Sequence, residues 1–176
     1  VMKEYFGHPE ATRAALTDGW LDTGDLGFVD QGLLYLCGRA KDVVIIRGAN
    51  HAPQEFEECL ENVAGVRTGC AVALGPFAPE VGEEVLLVLA ETTDDAGHDL
   101  PAQISAVIAS RTGVKPHAVH LLAPGTLPRT SSGKLRRGEA LRAHLAGQLK
   151  APDAVNLLSM GSALAKSALA HARRKL

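Results

Sequence analysis

Residues 84–90 read Glu-Val-Leu-Leu-Val-Leu-Ala. An apolar run with no alternating polar position reads as a central strand covered on both faces, so the chain around it must supply that cover. Two flanking segments qualify. Pro53 suits the first position of a helix, and Phe56, Cys59, Leu60 and Val63 follow at helical spacing, which predicts a helix over 53–63. Leu100, Ile104, Val107, Ile108 and the stem of Arg111 mark one face of a second helix that Gly113 can end. Further strands are expected at 70–74 and 119–122, and a third helix at 137–149. The order of strands and helices predicts a small α+β sandwich, with helices covering one or both faces of a three-stranded sheet.

Ahead of this unit, residues 43–46 are Val-Val-Ile-Ile, four β-branched residues that read as a short buried strand. Arg39, Lys41 and Asp42 precede it and Arg47 follows, while Gly48 and Asn50 tolerate the positive φ of a tight turn. This stretch is either an ordinary strand-turn-helix unit or a functional hinge. Upstream, Phe28-Val29 and residues 33–36 are apolar runs joined by Asp30-Gln31-Gly32, which predicts a β-hairpin with Asp25 just before its first strand. The first twenty residues do not look like the start of an independent fold and are expected to continue a larger domain. Residues 75–82, with Pro76 and Pro79, and residues 124–134 are expected to be loops. After Pro152, residues 157, 158, 164, 165, 168, 169, 172 and 176 keep helical spacing, an amphipathic tail helix expected to pack on the parent domain.

The formal net charge of −2 predicts no nucleic-acid partner. Basic residues nevertheless gather at Arg129, Lys134, Arg136, Arg137 and Arg142, opposed only by Glu139. No apolar run approaches the roughly 18 residues of a membrane span, and Lys3, Glu4, His8 and Glu10 break any signal-peptide core, so a cytoplasmic protein is expected. Cys37, Cys59 and Cys70 are odd in number, have apolar neighbours and lack metal-type spacing, and read as core filler in a reducing compartment. Cys37 and His51 lack further ligand spacing, so no metal site is expected.

The strongest chemical hint is the loop Leu127-Pro-Arg-Thr-Ser-Ser-Gly-Lys-Leu135. A phosphate-binding P-loop would need glycine where Pro128 stands and Ser or Thr where Leu135 stands, so that motif is excluded. What remains is either a solvated lysine or one that a Ser/Thr/Gly loop can bring to an anionic centre and withdraw. Thr23-Gly24-Asp25 places a carboxylate at a tight turn, suited to a pair of sugar hydroxyls, and Gly38-Arg39 adds a cation that could share that sugar or an adjacent phosphate.

Together these motifs resemble the adenylate-forming superfamily of acyl-CoA synthetases, luciferase-like enzymes and peptide-synthetase adenylation domains. The resemblance runs from Gly19-Trp20-Leu21-Asp22-Thr23-Gly24-Asp25, through Gly38-Arg39-Ala40-Lys41-Asp42 and Arg47-Gly48, to Thr130-Ser131-Ser132-Gly133-Lys134. It implies that residues 1–40 end a large nucleotide-binding domain with a β-hairpin, residues 41–150 form a mobile C-terminal lid with a short β-hairpin and a three-stranded sheet flanked by helices, and residues 151–176 are a helical tail. Asp25 resembles the ribose-binding aspartate and Arg39 the arginine that also holds the nucleotide. Lys41 falls at the hinge, and Gly48, Ala49 and Asn50 resemble the loop lining the pantetheine tunnel. Lys134 resembles the lysine that bridges the substrate carboxylate and the α-phosphate. Arg47-Gly48-Ala49-Asn50-His51-Ala52-Pro53-Gln54 is similar to fatty acyl-AMP ligases, which activate long-chain acids and pass them to an acyl carrier protein; Ala52 departs from the aromatic residue common there. The resemblance implies ATP and a fatty acid as substrates, AMP as the activating group, and Mg2+ held through the large domain. A fatty acyl-CoA ligase using coenzyme A is the alternative within the class. A non-catalytic module docking an acidic carrier protein through Arg136, Arg137 and Arg142 is the alternative outside it. The isolated segment is expected to be inactive, because neither the ATP-phosphate loop nor the acyl pocket lies in these 176 residues.

Overall fold

The computed structural model describes residues 2–93 and 97–151, so the expected tail helix lies outside the described residues. The chain begins with α1 (Pro9–Ala15) and two short antiparallel strands, β1 (Leu16–Thr17) and β2 (Trp20–Leu21). The expected hairpin follows as β3 (Asp25–Asp30) and β4 (Leu33–Arg39), with Gln31 and Gly32 at φ 48° and 81° in its turn. Positive φ at both turn residues gives the local twist that suits a two-residue hairpin. Phe28 and Tyr35 stack across the strands, ring centroids 5.0 Å apart.

A 3-10 turn at Ala40–Asp42 leads into β5 (Val44–Ile46) and β6 (Ala49–His51), a second antiparallel hairpin. Here the sequence reading needs correction. Val44 is buried, but Ile45 is exposed and Val43 lies outside the strand. The ribbon rests on the body by one face, so the period of two sends Ile45 outward. The turn uses Arg47 and Gly48, at φ 51° and 79°, while Asn50 sits inside β6.

Pro53 starts α2 (Pro53–Glu57), which tightens into a 3-10 turn at Glu58–Leu60 and stops short of the expected length. β7 (Val66–Leu74) is longer than expected, and β8 (Phe77–Ala78), inside the expected loop, pairs with β9 (Glu83–Glu84) just beyond it. Then come β10 (Leu87–Thr92), α3 (Leu100–Thr112), β11 (Ala118–Leu122) and α4 (Arg137–Leu145), the last also shorter than its prediction. The apolar run enters β10 only at Leu87, because Glu84 is drawn into β9 and its Oε2 accepts the Ile45 N–H at 3.0 Å.

The main sheet has the order β11-β10-β7, with β10 parallel to β11 and antiparallel to β7. The central strand is covered on both faces as the run demands. On one face Phe56, Leu60, Leu100, Ile104 and Ile108 pack against Ala71, Ala73, Val88 and Ala90. On the other, Val72, Leu74, Leu87 and Leu89 pack against Leu127 and Ala140. Each large side chain so buried contributes about 1.5–3 kcal/mol. Gly113, at φ 74°, ends α3 as expected, its N–H donating to the Ala109 carbonyl. Cys59 and Cys70 are buried, but Cys37 is exposed, which corrects its reading as core filler. Its apolar neighbours on β4 are themselves uncovered.

Candidate functional site

The base of the first hairpin sets two groups facing each other, since Asp25 and Arg39 are register partners. Arg39 Nε donates to Asp25 Oδ1 at 2.9 Å and its Nη2 to the Thr23 carbonyl at 3.1 Å. The preceding turn holds itself: the Gly24 N–H donates to Asp22 Oδ1 at 2.8 Å and the Asp25 N–H to Thr23 Oγ1 at 3.2 Å. Both side chains of the pair are 40% exposed or more, so the bridge contributes at most about 1 kcal/mol and serves to orient. Asp25 Oδ2 has no protein partner among the described residues and can accept from a ligand hydroxyl.

Within three residues the chain passes from contacts with the hairpin base to contacts with α4. The Ala40 N–H donates to the Gly24 carbonyl at 2.9 Å, tying residue 40 to the hairpin base. Asp42 Oδ2 lies 3.7 Å from Arg137 Nη1, tying residue 42 to α4. Lys41 stands between them, exposed.

Lys134 sits on a loop held by its own hydrogen bonds. The Thr130 N–H donates to the Lys134 carbonyl at 2.8 Å, the Lys134 N–H to Thr130 Oγ1 at 3.0 Å, and the Arg136 N–H to the Pro128 carbonyl at 2.9 Å. Gly133, at φ 85°, supplies the turn. Arg129, read from the sequence only as part of a basic run, donates to the Gly133 carbonyl at 2.7 Å and across to the Gly69 carbonyl of β7 at 2.9 Å. Next to the loop, Arg137 Nε and Nη2 donate to the two oxygens of Glu57 at 2.9 and 2.5 Å, fixing the start of α4 on α2. That bond, outweighing burial, holds the Arg137 guanidinium's proton even more tightly than usual. The Lys134 ammonium is exposed and has no ion-pair partner among the described residues.

Asp25, Arg39, Lys41, Lys134, Arg136 and Arg142 line one open cleft of about 910 Å³, in whose wall cations outnumber acids. Such a cleft concentrates anions, and Asp25, with one carboxylate oxygen left over from its pair with Arg39, is a natural hydroxyl acceptor. The structure therefore brings Asp25, Arg39, Lys41 and Lys134 together. It does not bring Gly48, Ala49 and Asn50 to this cleft: they lie exposed on the second hairpin, and Asn50 borders a separate cavity of about 140 Å³ with Cys37, Gly38, Arg39 and His51. His51 Nδ1 is 3.2 Å from Glu55 Oε2. Among the described residues no three His, Cys, Asp or Glu side chains gather into a metal site, and no helix is long and apolar enough to cross a membrane. Sequence reasoning missed Glu91, which is buried on β10; the signal was a carboxylate ending the apolar run.

No family model matches the chain. It is 44% identical over 152 residues to a Caulobacter vibrioides protein named provisionally as an acyl-CoA synthetase, an alignment covering 84% of this chain and 26% of that one. Its fold matches the structure of McyG A-PCP complexed with phenylalanyl-adenylate, with TM-score 0.77, 26% identity, and coverage of 84% of this chain and 27% of that one. It also matches a structure of the fatty acyl-adenylate ligases from E. coli and L. pneumophila, with TM-score 0.69, 36% identity, and coverage of 84% and 26%. The chain thus spans about a quarter of the length of each of these relatives.

Proposed function

The chain belongs to the adenylate-forming superfamily and corresponds to the C-terminal part of its members, and from that premise we propose that it is the lid of an ATP-dependent fatty acyl-AMP ligase with the end of the nucleotide-binding domain attached. The whole enzyme would activate a fatty acid as its acyl-adenylate and pass the acyl group to the phosphopantetheine thiol of an acyl carrier protein. The observation that carries this reading is that Lys134 and the Asp25–Arg39 pair line one cation-rich cleft from opposite sides of Lys41.

In the first step a carboxylate oxygen attacks the α-phosphorus of ATP, the bond from that phosphorus to the bridging oxygen breaks, and pyrophosphate leaves. Two anions approach each other as this happens. Asp25 accepts hydrogen bonds from the ribose hydroxyls, Arg39 orients Asp25 and lends its charge to the nucleotide, and the Lys134 ammonium sits where negative charge builds between carboxylate and phosphate. In the second step a thiol sulfur attacks the acyl carbonyl and AMP departs. A lysine in the first position obstructs that thiol, so rotation about Lys41 withdraws the 127–135 loop and brings forward the Gly48 turn with Ala49 and Asn50. Bonds tying residue 40 to one side and residue 42 to the other support a pivot at Lys41. Mg2+ accompanies ATP in this chemistry as the family resemblance implies it, held through the large domain, and the described residues offer no gathered set of ligands for it.

The test is to assay the full-length enzyme in two halves. Lys134→Ala lowers acyl-adenylate formation, read as pyrophosphate release, by roughly 100- to 1,000-fold while sparing thioester formation from supplied acyl-adenylate. Equal loss of both half-reactions rejects the role given to Lys134. A second reading, a fatty acyl-CoA ligase, is favoured by the 44% identity to the Caulobacter protein. Product yield with coenzyme A against that with holo carrier protein decides between the two acceptors.

A further inference from the structure

We propose that the buried carboxylate of Glu91 is a positioning residue for Lys134, clasping the root of the 127–135 loop to a bulge in β7. This rests on the role given to Lys134 above. The ladder between β7 and β10 pairs Ala90 with Ala71 and Thr92 with Val66, so residues 67–70 of β7 stand opposite the single residue Glu91. Gly69, at φ 67°, turns the backbone within this bulge. Glu91 is fully buried and is the one buried charged residue among the described residues.

A buried carboxylate is costly unless its oxygens are partnered, and an apolar side chain would fill the same space at no such cost. Both Glu91 oxygens are used. Oε2 accepts from Arg67 Nη1, in the bulge, at 2.5 Å. Oε1 accepts from the Leu127 N–H at 2.8 Å, which is where the loop leaves the core. Leu127 is buried against the second face of the sheet, so this bond pins the residue from which the loop extends. The bulge grips the loop a second time through Arg129, whose Nη2 donates to the Gly69 carbonyl and whose Nη1 donates to the carbonyl of Gly133, adjacent to Lys134. Root and tip of the loop are therefore both referred to residues 67–70. An exposed lysine on a flexible stem gains catalytic value only if its backbone is placed, and a misplacement of about 1 Å costs roughly 100-fold in rate.

The experiment uses the full-length enzyme with Glu91→Gln, Arg129→Met, Lys134→Ala and the double variant of Glu91→Gln with Lys134→Ala, each assayed for pyrophosphate release and for thioester formation from supplied acyl-adenylate. Glu91→Gln keeps the volume but sets an amide N–H2 against either the Arg67 guanidinium or the Leu127 N–H. The expected result is a roughly tenfold loss of adenylation for Glu91→Gln and for Arg129→Met, with thioester formation within about twofold of the parent. Because the clasp acts through Lys134, Glu91→Gln causes no further loss in the Lys134→Ala background. Loss of both half-reactions together, or a further loss in that background, shows a merely structural carboxylate and overturns the proposal, as does unchanged adenylation in both Glu91→Gln and Arg129→Met. Arg129 is exposed, so its variant keeps the test decisive if Glu91→Gln fails to fold. Unimpaired adenylation by Lys134→Ala rejects instead the reading of Lys134 on which the clasp rests.

Discussion

The β3–β4 hairpin and the β11-β10-β7 sheet are written in similar residues and sit in opposite environments. Phe28, Val29, Leu33, Leu34 and Leu36 are exposed on the hairpin, whereas Val88, Leu89 and Ala90 are fully buried in β10. No described residue before Val44 is buried at all. The sheet finds its cover within its own chain, from α2 and α3 on one face and the Leu127–α4 region on the other. The hairpin finds none here, and an uncovered apolar ribbon of this kind fits against another surface. Hence residues 25–39 act as a positioned edge that carries Asp25 and Arg39, while the unit that follows Lys41 has a core of its own. Relatives more than three times as long as this chain are in keeping with that division, which we propose as the boundary between nucleotide domain and lid.

The largest expected difference is in stability. Ile104→Ala or Leu89→Ala should destabilise the chain by about 2–5 kcal/mol in denaturant unfolding, because the cavity left in a two-sided core cannot collapse. Phe28→Ala, which loses only the stack on Tyr35, should cost under about 1 kcal/mol. Comparable losses at both places would erase the contrast.

The two ion pairs sharpen it. Arg137 and Glu57 have side chains only 19% and 15% exposed, so Arg137→Met leaves a largely desolvated carboxylate without its partner and should cost about 3 kcal/mol. Arg39→Met breaks a pair that water already solvates and should cost within about 1 kcal/mol, its loss appearing in nucleotide affinity of the full-length enzyme instead. Calorimetry for the first variant and ATP titration for the second separate these outcomes.

The sequence made the sheet legible because a six-residue apolar run leaves a strand no solvent face, and it made the three motif regions legible because each is local. It failed where the deciding partner is remote. The second strand of the expected lid hairpin had no legible bounds, since Asn50 and His51 carry no strand pattern of their own and are held only by pairing with Ile45 and Val44. Cys37 read as core because exposure depends on what covers β4, which no local pattern records. Glu91, Arg67 and Leu127 meet from three elements, and Arg129 spends its charge on two carbonyls, so neither was visible as part of the lysine loop's support.

A smaller effect tests the two loops that the proposed rotation exchanges. Gly48 is at φ 79° with open space where a Cβ would stand, so Gly48→Ala brings backbone strain alone, about 1 kcal/mol. In full-length enzyme it should slow thioester formation and leave adenylation near the parent rate, the reverse of Lys134→Ala. A matching loss in adenylation would mean that the second hairpin acts in both steps.

The smallest effect concerns pH, and it too belongs to only one of the two regions, since residues 25–39 contain no histidine. His120 on β11 and His144 on α4 face each other with ring centroids 4.8 Å apart. Burial first, and the charge of His120 second, push His144 below its ordinary value of 6.5. The folded chain therefore binds that proton less readily than the unfolded chain does. The resulting contribution to stability is complete above about pH 6.5 and is lost as pH falls through the lower folded value, where the unfolded state holds more protons. Melting temperature should accordingly decline on acidification, and His144→Gln should remove this share of the decline without touching the rest. His120→Gln should remove only part of the shift, because burial of His144 persists when the facing charge is gone. A resonance of His144 titrating at or above the ordinary value would contradict the assignment, since both of its causes act in one direction.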